Sequence, residues 1–204
     1  MLRVINILSI IRLLAITTTF ISILTYEVLR KYWQNDIPII KVLSIAPWVA
    51  AGLLLLLTTD ISARLIWGSI RRVKKNLFPD LNGTWDGEII VSESLQIPAR
   101  AVIKQSLLQV QIEIHTETSK SITLETTPTV EFGQHRLYYL YKSIPKNPEW
   151  DEYKGTTTFD IRTVTEGTEK FLELSGAYFT SRLTIGRVRF RQISRNIDED
   201  VSFY

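Results

Sequence analysis

Val42–Thr59, VLSIAPWVAAGLLLLLTT, is a run of eighteen residues without a charge. At about 1.5 Å rise per residue it comes close to the roughly 30 Å hydrocarbon core of a bilayer, and buried helices of soluble proteins rarely stay uncharged over that length. It reads as a transmembrane helix, and it divides the chain: the residues upstream can be its membrane partner, and the residues downstream have the period of a water-soluble β domain.

Upstream, Val4–Tyr26 is apolar apart from Asn6, several Ser and Thr, and Arg12, and it reads as a first transmembrane helix. A cleaved signal peptide would also begin with a basic residue and an apolar core, but no small-residue cleavage site follows. Arg12 either snorkels to the interface or sits in a helix bundle. Between the two spans, Tyr26–Lys41 carries five charges, Trp33 and Pro38, which suggests an outer turn with an interfacial aromatic anchor. Downstream, Asp60–Lys75 spaces Ile61, Leu65, Ile66 and Ile70 at nearly helical intervals among five basic residues, as a stalk on anionic headgroups would. Trp67 would be a further headgroup anchor. Residues 1–79 hold ten Lys and Arg against three acids, whereas residues 80–204 hold fourteen against eighteen. The basic excess is therefore a membrane-flank signal, not the mark of a nucleic-acid polymer binder, and the positive-inside rule places both termini in the cytoplasm.

From Gly83 the period changes to two. Eight strands are expected: Thr84–Ser92, Pro98–Gln105, Leu107–Thr116, Ser121–Phe132, Arg136–Ser143, Thr156–Thr163, Lys170–Arg182 and Arg187–Ile193. A loop, Ile144–Gly155, with Pro145, Pro148 and Trp150, could cover one end. The inward set runs through Trp85, Ile89, Ala101, Ile103, Leu108, Ile112, Ile114, Ile122, Leu124, Thr126, Leu137, Tyr139, Tyr141, Thr157, Phe159, Thr163, Leu174, Tyr178, Thr180, Val188, Phe190 and Gln192. One continuous apolar face suits a two-sheet sandwich or a closed barrel. Asp86 and Glu88 on the first strand would match Arg187, Arg189 and Arg191 on the last, which favours closure. The expected fold is thus a two-helix membrane hairpin, residues 1–78, followed by an eight-stranded antiparallel up-and-down β-barrel of lipocalin type, residues 79–204, enclosing room for one small ligand. An outer-membrane barrel is excluded, because the outward face is charged.

Enzymatic signatures are missing. There is no cysteine, G-x-S-x-G, phosphate loop or H-E-x-x-H, and His115 and His135, on an outward strand position and in a turn, read as surface residues. No catalytic residue, metal site or cofactor is expected. The inward hydroxyls are more informative: Tyr139, Tyr141, Tyr178 and Thr180 form the candidate ligand site. If the seventh strand continues past Ser181, Arg182 joins them, and a lone inward cation would want a phosphate-bearing guest stacked on aromatic rings. If the strand ends at Thr180, Arg182 is a solvated turn residue.

The entry PDLNGTWDGEI (Pro79–Ile89), with Gly83 and Trp85, and the exit SGAYFTSRLTIGRVRFR (Ser175–Arg191), with Gly176, Tyr178, Arg182 and Gly186, stand behind a membrane hairpin. This layout resembles the two-transmembrane β-barrel effectors of CBASS, the cyclic-oligonucleotide antiphage signalling system of bacteria. The resemblance implies a receptor for a cyclic dinucleotide made by a partner nucleotidyltransferase. It further implies homo-oligomerisation on ligand capture and disruption of the inner membrane, causing abortive infection. A membrane-tethered carrier of an apolar molecule is the alternative.

Overall fold

The computed structural model describes residues 7–33, 39–59, 78–106 and 109–203. The chain divides into two compact units, Leu2–Lys75 and Asn76–Tyr204.

In the first unit, α1 spans Ile7–Trp33 and α2 spans Ile39–Thr58, and the two pack on each other. Within α1, Ile11–Tyr32 is long and apolar enough to cross a membrane; the corresponding apolar part of α2, Ile45–Leu56, is shorter. Three hydroxyls of α1 are satisfied within the helix, donating to carbonyls one turn back: Thr19 to Ala15 (2.9 Å), Ser22 to Thr18 (2.7 Å) and Thr25 to Ile21 (2.8 Å). Residues 34–38, with Pro38, lie outside the described residues, and the expected outer turn is narrowed, since α1 runs on through Glu27–Trp33. That segment contains no glycine or proline, and Arg30 and Lys31 suit the negative end of the helix dipole. The proposed stalk, with Trp67, lies outside the described residues.

The second unit is a closed antiparallel barrel of eight strands in sequence order. They are β1 (Gly83–Ser92), β2 (Leu95–Gln105), β3 (Val110–Thr116), β4 (Ser119–Glu131), β5 (Gln134–Pro145), β6 (Tyr153–Glu166), β7 (Glu169–Thr180) and β8 (Ile185–Ser194). Closure is made by β1 on β8, with Asp86 opposite Arg191 and Glu88 opposite Arg189, as the charges required. The closest ion pairs nevertheless run to other strands. Arg189 grips the buried carboxylate of Glu173 on β7 with Nε (2.9 Å) and Nη2 (2.6 Å), while Arg191 meets Glu166 at 3.0 Å and lies over Phe171. Arg189 and Arg191 of the arginine-rich last strand are thus paired on the outer wall.

Inside, Trp85, Ile103, Ile112, Leu137, Tyr139, Phe159, Leu174 and Phe190 are fully buried. An aromatic ladder crosses the strands from Tyr141 to Tyr139 (5.1 Å), Phe159 (6.2 Å) and Phe190 (6.4 Å). One end is plugged by the segment entering β1. Phe78 and Leu81 are fully buried there. Trp85 Nε1 donates to the Leu81 carbonyl (3.0 Å), Leu81 N–H to Gln105 Oε1 (2.7 Å), and Gln192 Nε2 to the Asn82 carbonyl (2.8 Å).

Four expectations change. The register of β4 against β5 shifts between Thr123 and Glu125. This bulge turns Ile122 and Leu124 outward and puts Thr123, opposite Tyr141, inside. Across the resulting gap, Thr123 Oγ1 and Thr126 Oγ1 donate to the carbonyls of Ile112 (2.8 Å) and Val110 (2.6 Å) on β3, where ladder bonds would otherwise stand. Thr163 is exposed near the end of β6, and Leu108 lies outside the described residues. Neither histidine is a plain surface residue. His115 is buried and 2.7 Å from Glu113, on an outer wall crossed by the C-terminal segment, where Val201 is buried and Phe203 lies under Arg100. His135 stands edge-on to Phe78 at 5.6 Å. Lastly, β7 ends at Thr180, so Arg182 belongs to the β7–β8 turn.

Candidate functional site

At the end opposite the plug, the turns β1–β2, β3–β4, β5–β6 and β7–β8 surround an open mouth leading into a cavity of about 200 Å³. Its lining is of two kinds. Ile89, Val91, Ile97, Ile114 and Val188 supply an apolar wall, and Thr116, Thr118, Ser119, Ser121, Thr157, Thr180 and Thr184 supply hydroxyls, with Tyr141, Tyr153 and Tyr178 between them. A larger depression of about 570 Å³ lies on the outer wall between β2–β4 and residues 197–201. It is an open groove flanked by charged side chains, whereas the mouth is where the inward face of the strands converges, and the mouth is the candidate site.

The tyrosines are seated by glycines. Tyr141 faces Gly155 across β5–β6, and Tyr178 faces Gly186 across β7–β8. A Cβ at Gly155 would lie 2.3 Å from Tyr141 Cζ, and one at Gly186 would lie 2.6 Å from Tyr178 Cε1. Each ring therefore lies back against its neighbouring strand, and the middle of the mouth stays open. Burial is the main cause pushing the Tyr141 phenol far above its ordinary range, reinforced by the neighbouring Tyr153 and Tyr178, with a hydrogen bond to Thr157 opposing. Burial and Tyr153 push Tyr178 up as well. These phenols stay protonated at neutral pH and can donate hydrogen bonds.

Of the residues expected from the sequence, Tyr141, Tyr178 and Thr180 line the cavity. Tyr139 lies beneath, stacked on Tyr141 and donating to the Ile112 carbonyl at 3.3 Å, so it supports the floor. Arg182 does not point inward from a strand. It is an exposed turn residue whose guanidinium lies 4.4 Å above the Tyr153 ring and donates to the Asp151 carbonyl, at the rim. Tyr153 and the hydroxyls of the β3–β4 turn were missed, because Ser and Thr between strands read as turn formers. Trp150, in the β5–β6 loop, is half exposed and does not seal the mouth.

An eight-stranded barrel plugged at one end, with a neutral, hydroxyl- and tyrosine-lined mouth at the other, defines a receptor for a small polar ligand. Residues 76–192 match the family described as Cap15, cyclic dinucleotide receptor domain, and the chain belongs to that family: it is a CBASS effector with a cyclic-dinucleotide receptor barrel. No curated protein matches the sequence.

Proposed function

We propose that the cyclic dinucleotide binds in the mouth between β3, β5, β6 and β7, with Tyr141, Tyr178 and Thr180 against its ring system, Tyr139 supporting Tyr141 from below, and Arg182 meeting a phosphate at the rim. The observation that carries this reading is a stacked pair, Tyr141 on Tyr139, with the Arg182 guanidinium placed over a further ring at the rim, Tyr153, which together offer flat faces to bases and charge to a phosphate. The ligand would come from a partner nucleotidyltransferase, and the barrel would act as a sensor without catalysis of its own. A carrier of an apolar molecule is less well served by a cavity with seven lining Ser and Thr hydroxyls.

In this reading α1 and α2 both span the inner membrane, with both chain termini cytoplasmic. Ligand-bound barrels assemble, and the assembled helices break the membrane. The receptor half folds by itself; because Phe78 is buried in the plug, the fragment to express begins at residue 76. That fragment should melt cooperatively and gain thermal stability with at least one member of a panel of cyclic dinucleotides. A fragment that is insoluble, or that melts without a single transition, would show that the barrel needs the helices.

Arg182→Ala tests the phosphate contact. Arg182 is exposed, so the loss should sit at the low end for a charge-assisted hydrogen bond, about 1.5 kcal/mol or roughly tenfold in Kd, with the melting temperature of the free protein nearly unchanged. Titration calorimetry giving wild-type affinity would put the phosphate elsewhere.

A further inference from the structure

Directly behind the lining of the mouth lies a polar group that the fold leaves unsatisfied. Ser143 is fully buried, and its Oγ has no hydrogen-bond partner among the described residues. The ladder fixes its position. It lies opposite Ser121 on β4 and Tyr153 on β6, both of which line the cavity, and two residues along β5 from Tyr141, so it belongs to the inner face at the mouth. A buried hydroxyl without a partner opposes folding, and a ligand group that reached it would gain a hydrogen bond without displacing an existing one.

The charges around the mouth decide which part of a cyclic dinucleotide could do so. The residues lining the cavity include no Lys, Arg, Asp or Glu; the cation at this end that stacks on the lining is Arg182, outside, over Tyr153. An ionised phosphodiester would be poorly held in a neutral, desolvated cavity, whereas an uncharged base with its own donors and acceptors suits one lined by apolar groups and hydroxyls. The volume, about 200 Å³, is below the roughly 300–1,000 Å³ of sites that enclose a whole drug-sized ligand, so the cavity takes part of the molecule.

We propose that one nucleobase enters edge-first between Tyr141 and Tyr178 and pairs with Ser143 Oγ, while the sugar–phosphate ring stays at the rim beside Arg182, which makes Ser143 a specificity-determining residue. This rests on the reading of the mouth as the cyclic-dinucleotide site. Tyr153 is the element that gives way: it is the half-buried ring beside Ser143, and it is stacked on an exposed turn residue.

The test uses the full chain in detergent micelles, titrated with 3′,3′-linked cyclic dinucleotides that carry adenine, guanine or uracil at one position. Ser143→Ala removes an unpaired hydroxyl and little else, so the free variant should melt no lower than wild type. Its affinity for the preferred ligand should fall about tenfold, the scale of one buried hydrogen bond with its desolvation, and the ranking among the three bases should narrow. Arg182→Ala should instead weaken all three ligands by a common factor that shrinks as salt is raised. Wild-type affinity and base ranking in Ser143→Ala would overturn the proposal, and so would weakened binding accompanied by a lowered melting temperature, which would mark Ser143 as structural. A wild-type chain that binds none of the ligands would instead overturn the receptor reading on which it rests.

Discussion

Trp85→Ala is expected to cost about 3–5 kcal/mol, the largest stability loss of any single change at the plugged end of the barrel. The indole is fully buried and holds the plug as well as filling the interior, since Nε1 donates to the Leu81 carbonyl at 3.0 Å and Leu81 is itself fully buried. Removing it leaves a cavity and an unpaired carbonyl where the chain enters the barrel. For a domain of ordinary stability, about 5–15 kcal/mol, this takes away a large share of the total. Trp85→Phe separates the two contributions: it keeps an aromatic ring and loses the donor, and about 1–3 kcal/mol of the cost should remain from the unpaired carbonyl. Urea unfolding followed by the β-sheet circular-dichroism signal checks both. A loss below about 1 kcal/mol for Trp85→Ala would mean that the plug collapses into the vacated space and that the G-x-W entry does not organise this end.

How far the sequence could be read depends on which interactions leave a periodic trace. Alternation found all eight strands, and the opposed charges of Asp86, Glu88, Arg189 and Arg191 found the closing pair, because a ladder places residues of the same face directly opposite one another. The bulge in β4 was invisible to alternation, since one inserted residue exchanges the two faces while both still look regular. Its trace is the spacing of Thr123 and Thr126, three residues apart yet both bonded to β3 carbonyls. The turn at Arg182 was hidden for a related reason. Leu183 takes up the left-handed conformation (φ 62°) that glycine or asparagine usually marks, so SRLT reads as more strand. Burial of His115 depends on the C-terminal segment, whose NIDEDVSFY carries no period that would say which wall it crosses. Within the site, the stacked tyrosines were legible because alternation names inward residues. The seats at Gly155 and Gly186 were not, because they are properties of register between strands.

Replacing Ala50 and Gly52 by leucine is expected to abolish ligand-dependent membrane permeabilisation while leaving ligand affinity intact, the largest functional effect proposed. Both residues lie on α2, Gly52 is exposed, and a Cβ added there meets no atom within 4 Å. Leucine at position 52 therefore fits without forcing the α1–α2 pair apart, and its effect should fall on contacts with other copies of the chain. Small residues let helices in a bilayer approach closely, and leucine holds them apart. Ala50 and Gly52 lie about 200° apart round α2, so the two substitutions block close approach on two sides of the helix. If the assembly uses either side, the variant binds ligand but cannot bring its helices together. Dye release from liposomes carrying the full chain, with and without the cyclic dinucleotide, measures the coupling, and calorimetry on the same preparation measures affinity. Release at wild-type strength would mean that another helix face makes the assembly. Release that is equal with and without ligand would mean that ligand capture in the barrel does not control the membrane step.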